Sequence, residues 1–278
     1  MKLAVCGKGG SGKSAMVALL ANGMQHRGYH VLVVDSDESN SCLHRMLGFD
    51  KTPVPIMDMV GGRSGVKQKM APRLPQGEST PQGAILEQSK IWLADIDTDY
   101  MLSRDGISLV STGKILQSLE GCACSIGVLS REFLEKLCLK DNEVIIVDME
   151  AGVEHFGRGV DASIDSVLIV VEPSFESLSL AEKINRLAAE IGIESIWVVL
   201  NKIASEELAS KMKADLIMKN MAVIGSVSYD MEVFEACLSG RPVHSREAAK
   251  EIDMLLDTLL RARELPEGNV NSGGKSCV

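Results

Sequence analysis

The stretch that most constrains the fold is Gly7 to Ser14, GKGGSGKS, set between the apolar run Leu3-Ala4-Val5-Cys6 and a helical pattern from Ala15 to Gly28. Strand, glycine-rich loop and helix in that order are the context in which G-x-x-x-x-G-K-S forms a phosphate site. Glycines at 7, 9, 10 and 12 let the backbone curl so that successive N–H groups face inward on an anion. The helix that follows adds its unpaired N–H groups and the positive end of its dipole. In this loop Gly9, Gly10, Ser11 and Gly12 form the cradle. Lys13 is placed to reach the β- and γ-phosphates, and the Ser14 hydroxyl to hold Mg2+.

A chain of 278 residues that is 45% hydrophobic and 24% charged can bury a substantial core. The expected organisation is one domain over residues 1–264, with a longer variable segment at about 60–90 and a disordered tail at 265–278. A formal net charge of −9 argues against non-specific nucleic-acid binding, which draws on clustered Lys and Arg. No apolar run is long enough to span a bilayer and no leader precedes the first strand, so a cytoplasmic protein without a membrane role is expected.

Along the chain, strands are expected at His30–Val34, Lys90–Asp95, Ile107–Val110, Glu143–Asp148, Ser166–Val171, Ile196–Leu200 and Ala222–Val227. Helices are expected at Cys42–Leu47, from the loop Gly121–Gly127 to Leu139, at Glu176–Ile191, and near 230–239 and 245–263. Residues 50–90, rich in Pro and Gly, read as a helical excursion with a mobile loop. Strands alternating with helices imply an α/β fold, a doubly wound and mostly parallel sheet with helices on both faces. Asp35 and Asp37 follow the second strand and Asp148 ends EVIIVD, all at the carboxyl ends of strands, where such sheets bind ligands. Asp148 is placed to hold Mg2+.

Seven cysteines in a cytosolic chain are not expected to form a disulfide framework. Cys6, in a strand, and Cys138 and Cys237, in helical patterns, read as buried apolar residues. Cys122-Ala-Cys124 differs, because two soft thiolates close together suit Zn2+, Ni2+, Cu+ or an iron–sulfur cluster. Two thiolates underfill a four-coordinate site, and a two-fold dimer would supply the other pair.

With its second lysine, Lys8, the loop resembles the deviant Walker A loop of the family containing the MinD and ParA partitioning ATPases, nitrogenase iron protein and metallocentre-maturation ATPases. That resemblance implies that Lys8 reaches across a homodimer to the partner's nucleotide. It also implies that Asp37, in D-S-D, orients the attacking water and takes part in the Mg2+ site. Asp148, Ala151 and Gly152 of DMEAG match the family's switch II, and Asn201-Lys202 resembles its base-recognition element. The Asn201 amide can pair with an adenine edge, and no aspartate that would read guanine follows, so ATP is favoured over GTP. The stretch after the last strand, SYDMEVFEACLSGRPV, is expected to cover the base.

Together with the C-A-C, the stretches VVDSDESNSCL, VDMEAGVEHFGRG, VVEPSFESL and VVLNK resemble the CooC-type ATPases that mature the nickel centres of carbon monoxide dehydrogenase and acetyl-CoA synthase. The resemblance spans residues 1 to about 262 and places His155 and Arg158 on the family's histidine and arginine. It implies Ni2+ or Zn2+ at Cys122 and Cys124 and a nickel-containing client enzyme. A MinD- or ParA-like positional ATPase without a metal role is the alternative.

Overall fold

In a computed structural model, residues 1–37, 42–70, 84–113, 124–153 and 163–264 are described. Strand β1 (Lys2–Gly7), helix α1 (Lys13–His26) and strand β2 (His30–Asp35) open the fold. Short helices α2 (Leu43–Met46), α3 (Ile56–Met59) and α4 (Gly62–Met70) follow, then β3 (Ile91–Trp92), β4 (Met101–Arg104) and β5 (Ile107–Ser111). Helix α5 (Cys124–Lys136) runs into β6 (Leu137–Cys138), and β7 (Glu143–Asp148) and β8 (Ser166–Val171) come next. The last third alternates α6 (Phe175–Glu190), β9 (Ser195–Ile203), α7 (Glu206–Met218), β10 (Ala222–Ser228), α8 (Met231–Ser239) and α9 (Arg246–Glu264).

Eight strands form one sheet in the order β10-β9-β8-β1-β7-β2-β5-β4. Every pairing is parallel except the β4–β5 hairpin at the edge. The runs EVIIVD and SVLIVV are buried at every position, as a strand covered on both faces requires. Alternate residues feed two cores. Leu3, Val5, Val31, Val33, Val144 and Ile146 face α1 and α9, whereas Ala4, Leu32, Val34, Ile145 and Val147 face α5, α6 and α7. The sheet is doubly wound, and β1 stands between β7 and β8 where the winding reverses. The crevice beyond its carboxyl end is where such a sheet binds ligands.

Three local expectations are corrected. Cys138 lies in β6, paired in parallel with Trp92 of β3, because α5 ends at Lys136. The strand expected over Lys90–Asp95 shrinks to Ile91–Trp92, since a 3-10 turn follows in which Asp95 accepts the Trp92 N–H at 3.1 Å. Strand β4 was not expected. It pairs antiparallel with β5 through Asp105 and Gly106, whose φ of 51° and 83° suit a tight hairpin turn. Within the 60–90 excursion, Ile85 and Leu86 are buried against α5, where the Glu132 carboxylate accepts both their N–H groups. No described helix is long and apolar enough to cross a membrane. Residues 265–278 lie outside the described residues.

Candidate nucleotide site

The loop between β1 and α1 is held by close backbone approach. A Cβ at Gly7, φ 147°, would lie 2.5 Å from the Val170 carbonyl oxygen of β8, so only glycine passes there. Helix α1 starts at Lys13 without a side-chain cap, its N-cap residue Gly12 being left-handed at φ 94° and ψ 23°, and no acidic residue stands in its first turn. No acidic side chain of α1's own first turn offsets its positive end, which favours an anion there.

Residues from β8 and β9 buttress the loop. Asn201 is buried and donates its Nδ2 to the Ser11 carbonyl at 2.8 Å, and a Cβ at Gly12 would overlap that same nitrogen. Lys202, at φ 58°, donates Nζ to the Gly10 carbonyl and to Glu172 Oε2 at 3.0 Å. Lys8 meets Glu172 Oε1 at 3.3 Å and Glu176 Oε2 at 3.1 Å. Glu172 thus bridges the two lysines. Burial works to raise its carboxyl, but the Lys202 and Lys8 contacts outweigh it and the net shift is downward. Lys13 Nζ reaches back to the Lys8 carbonyl at 3.4 Å. Sequence reasoning passed over Glu172, although it ends a strand beside β1, the same signal that marked Asp35 and Asp148.

Strand register assembles the carboxylates. Asp35 is paired with Asp148 across β2 and β7, and Asp37 stands two residues on, buried. Ser14 Oγ donates to Asp148 Oδ2 at 2.6 Å. Asp148 Oδ1 is buried without a hydrogen-bond partner. Complete burial, with the charges of Asp35 and Asp37, pushes the Asp148 carboxyl up to about 7 against the opposing pull of Ser14 and Lys13. An orphaned carboxylate oxygen beside a hydroxyl suits a hard divalent cation with oxygen ligands such as Mg2+.

From this end a cavity of about 460 Å³ runs along Gly9–Ser14 and past Asp37 and Ala151 to the exit of β10. Its far part is walled by Met16, Leu19 and Met46 on one side and Val227, Tyr229, Val233, Phe234 and Cys237 on the other. The stretch expected to cover a base lies on that wall. A loop of N–H groups and cations at one end, and an apolar slot at the other, matches the polarity of a nucleotide. The stretch after β7 reaches the loop through Gly152, φ 107°, whose N–H donates to the Gly7 carbonyl at 3.4 Å.

The fold therefore brings Gly9, Gly10, Gly12, Lys13, Ser14, Asp37, Ala151, Asn201 and Lys202 to one cleft, with Asp148 against Ser14 and Lys8 turned to Glu172 and Glu176; Ser11 and Gly152 do not line it. Cys124 opens α5. Cys122, His155 and Arg158 lie outside the described residues. Among the described residues, no group of three or more His, Cys, Asp or Glu is placed to hold a metal ion.

Residues 3–243 match the family described as CbiA, the CobQ/CobB/MinD/ParA nucleotide binding domain. An uncharacterized ATP-binding protein of Methanocaldococcus jannaschii is 37% identical over 248 residues, covering 88% of this chain and 94% of its own. The carbon monoxide dehydrogenase accessory protein CooC of Rhodospirillum rubrum is 34% identical over 205 residues, 74% of this chain and 75% of its own. Among solved structures, the septum site-determining protein MinD with Mg-ADP from Pyrococcus horikoshii superposes with a TM-score of 0.66 at 15% identity, covering 94% of this chain and 96% of that one. A ParA family ATPase from Chlorobium tepidum gives 0.64 at 20% identity, over 92% and 97%. The structural likeness is one of fold.

Proposed function

The chain belongs to the CobQ/CobB/MinD/ParA nucleotide-binding family and is an ATPase of the MinD/ParA class, and from that premise we propose that it is an ATP-driven metallochaperone. In this reading it dimerises around nucleotide and binds Ni2+ through Cys122 and Cys124 of each subunit. It then assists insertion of nickel into a client enzyme of the carbon monoxide dehydrogenase or acetyl-CoA synthase type. The observation that carries the ATPase chemistry is the Ser14–Asp148 contact beside Asp37 and Lys13 at the phosphate end of the cavity. The cargo rests on the C-A-C sequence and on the similarity to CooC.

Ser14 and Asp148 would hold Mg2+, which supplies charge neutralisation on the β- and γ-phosphates when bound. The Gly9–Ser14 loop and the uncapped end of α1 orient the phosphates. Lys13 leaves the Lys8 carbonyl to meet the γ-phosphate, and Asp37 positions water for in-line attack. Asn201 holds the Ser11 carbonyl and borders the cavity, where its carboxamide oxygen can accept from an adenine amino group. Lys8 must leave Glu172 and Glu176 to reach a partner's nucleotide. ATP bound best by the closed dimer shifts the population toward it, and metal and nucleotide then strengthen each other reciprocally.

Analytical ultracentrifugation of the apo protein titrated with Ni2+, Zn2+ and ATP tests this. A shift from monomer to dimer with about one metal per dimer, lost in Cys122→Ser/Cys124→Ser, is the expected result. Dimerisation driven by ATP alone and indifferent to the cysteines would refute the metal role and leave a positional ATPase.

A further inference from the structure

The residue between the two aspartates of D-S-D makes two contacts that the phosphate chemistry does not use. Ser36 donates its N–H to the Asp148 carbonyl at 3.0 Å, so it is fixed to the end of β7. Its hydroxyl lies 2.9 Å from the hydroxyl of Ser130, on α5. Both side chains are buried, at 4% and 3% exposure. Neither hydroxyl has water to turn to, so separating them leaves buried polar groups unsatisfied. Parting the carboxylate loop from α5 therefore carries a cost.

The same two elements are joined on either side of that bond. Thr112 donates its N–H to the Asp35 carbonyl at 3.1 Å, and its neighbour Gly113 packs so that a Cβ there would lie 3.4 Å from Ile126 of α5. Ile126, Leu129, Phe133 and Leu134 pack in the core that contains Val34 and Val110, each just before one of these loops. Farther along α5, Glu132 and Lys136 clasp the backbone of Ile85 and Leu86. Close-packed contacts of this kind pass on a displacement rather than absorb it. Ser130 stands six residues, about 9 Å of helix, beyond Cys124.

We propose that Ser130 is a positioning residue that couples occupancy of the carboxylate loop to the placement of α5, and so to Cys124, the residue with which α5 starts. The inference rests on the reading above for what binds at each end. It adds the link between them, which a two-site mechanism needs for either ligand to influence the other.

The test uses the full chain as wild type, Ser130→Ala and Ser130→Thr. Two quantities are measured: hydrogen exchange in residues 126–136 with and without Mg2+ and a non-hydrolysable ATP analogue, and Ni2+ affinity in the same two states. In the wild type the analogue should change exchange in α5 and shift Ni2+ affinity by about fivefold or more. Ser130→Ala should bind the analogue within about threefold of wild type and melt cooperatively, with the α5 response weakened and the affinity shift below about twofold. Ser130→Thr, which restores a hydroxyl, should recover both. A Ser130→Ala protein that responds like wild type overturns the proposal. So does a wild type that binds Ni2+ and the analogue independently. A wild type that binds no Ni2+ through its cysteines overturns the metallochaperone reading, and the coupling with it.

Discussion

Replacing Gly12 by alanine should damage the site through Asn201, and a double-mutant cycle can show it. Two costs arise. An alanine held at φ 94° sits in left-handed territory, at about 1–2 kcal/mol. Its Cβ also overlaps Asn201 Nδ2, so the carboxamide must swing away and give up its 2.8 Å bond to the Ser11 carbonyl. Leaving that buried carbonyl unsatisfied costs about 1–3 kcal/mol, for a total of about 2–5. Asn201→Ala alone removes the same bond and should cost the same 1–3, by about the same mechanism. Once Asn201 is alanine the overlap is gone, and adding Gly12→Ala should cost only about 1–2 kcal/mol. The cycle should therefore show coupling of about 1–3 kcal/mol, read from urea unfolding of the four nucleotide-free proteins with unchanged m-values. Costs that add to within about 0.5 kcal/mol would refute the claim that Asn201 braces the loop.

Three further outcomes are expected. Lys13→Ala should lower the ATP hydrolysis rate by about a hundredfold or more, because it removes a charge aimed at the transferring phosphate; a phosphate-release assay checks this. At Glu132, burial raises the carboxyl, but Lys136 and the N–H groups of Ile85 and Leu86 pull it down further, so the net shift is downward. A carboxyl lowered by folding adds stability that is complete above its unfolded value and lost as pH falls through the folded one. Glu132→Gln should thus cost about 1–3 kcal/mol at pH 7, and the gap to wild type should close as pH falls below the ordinary carboxylate range, in urea titrations at several pH values. Glu172→Gln frees Lys8 from one of two partly exposed ion pairs and should tighten ATP-dependent dimerisation by about two- to fivefold in sedimentation. Weaker dimerisation would show that Glu172 does not hold Lys8 back.

The sequence by itself determined what is local. Eight residues from Gly7 to Ser14, the apolar runs EVIIVD and SVLIVV and the aspartates at strand ends are contiguous signals, and backbone geometry ties each to one element. They were enough for the doubly wound sheet, at one end of which the loop and Asp37 line one cavity. What failed was decided by pairing between distant segments. Cys138 sits in a strand only because Trp92 lies beside it, and β4 exists because the Asp105–Gly106 turn folds it back on β5. Glu172 becomes the bridge between Lys8 and Lys202 only when β8 is laid between β1 and β9. The Ser36–Ser130 contact spans 94 residues and joins two unremarkable serines. Periodicity reports which face of an element is apolar, but which hydroxyl meets which depends on sheet order and helix placement, and those are set by the whole chain's burial.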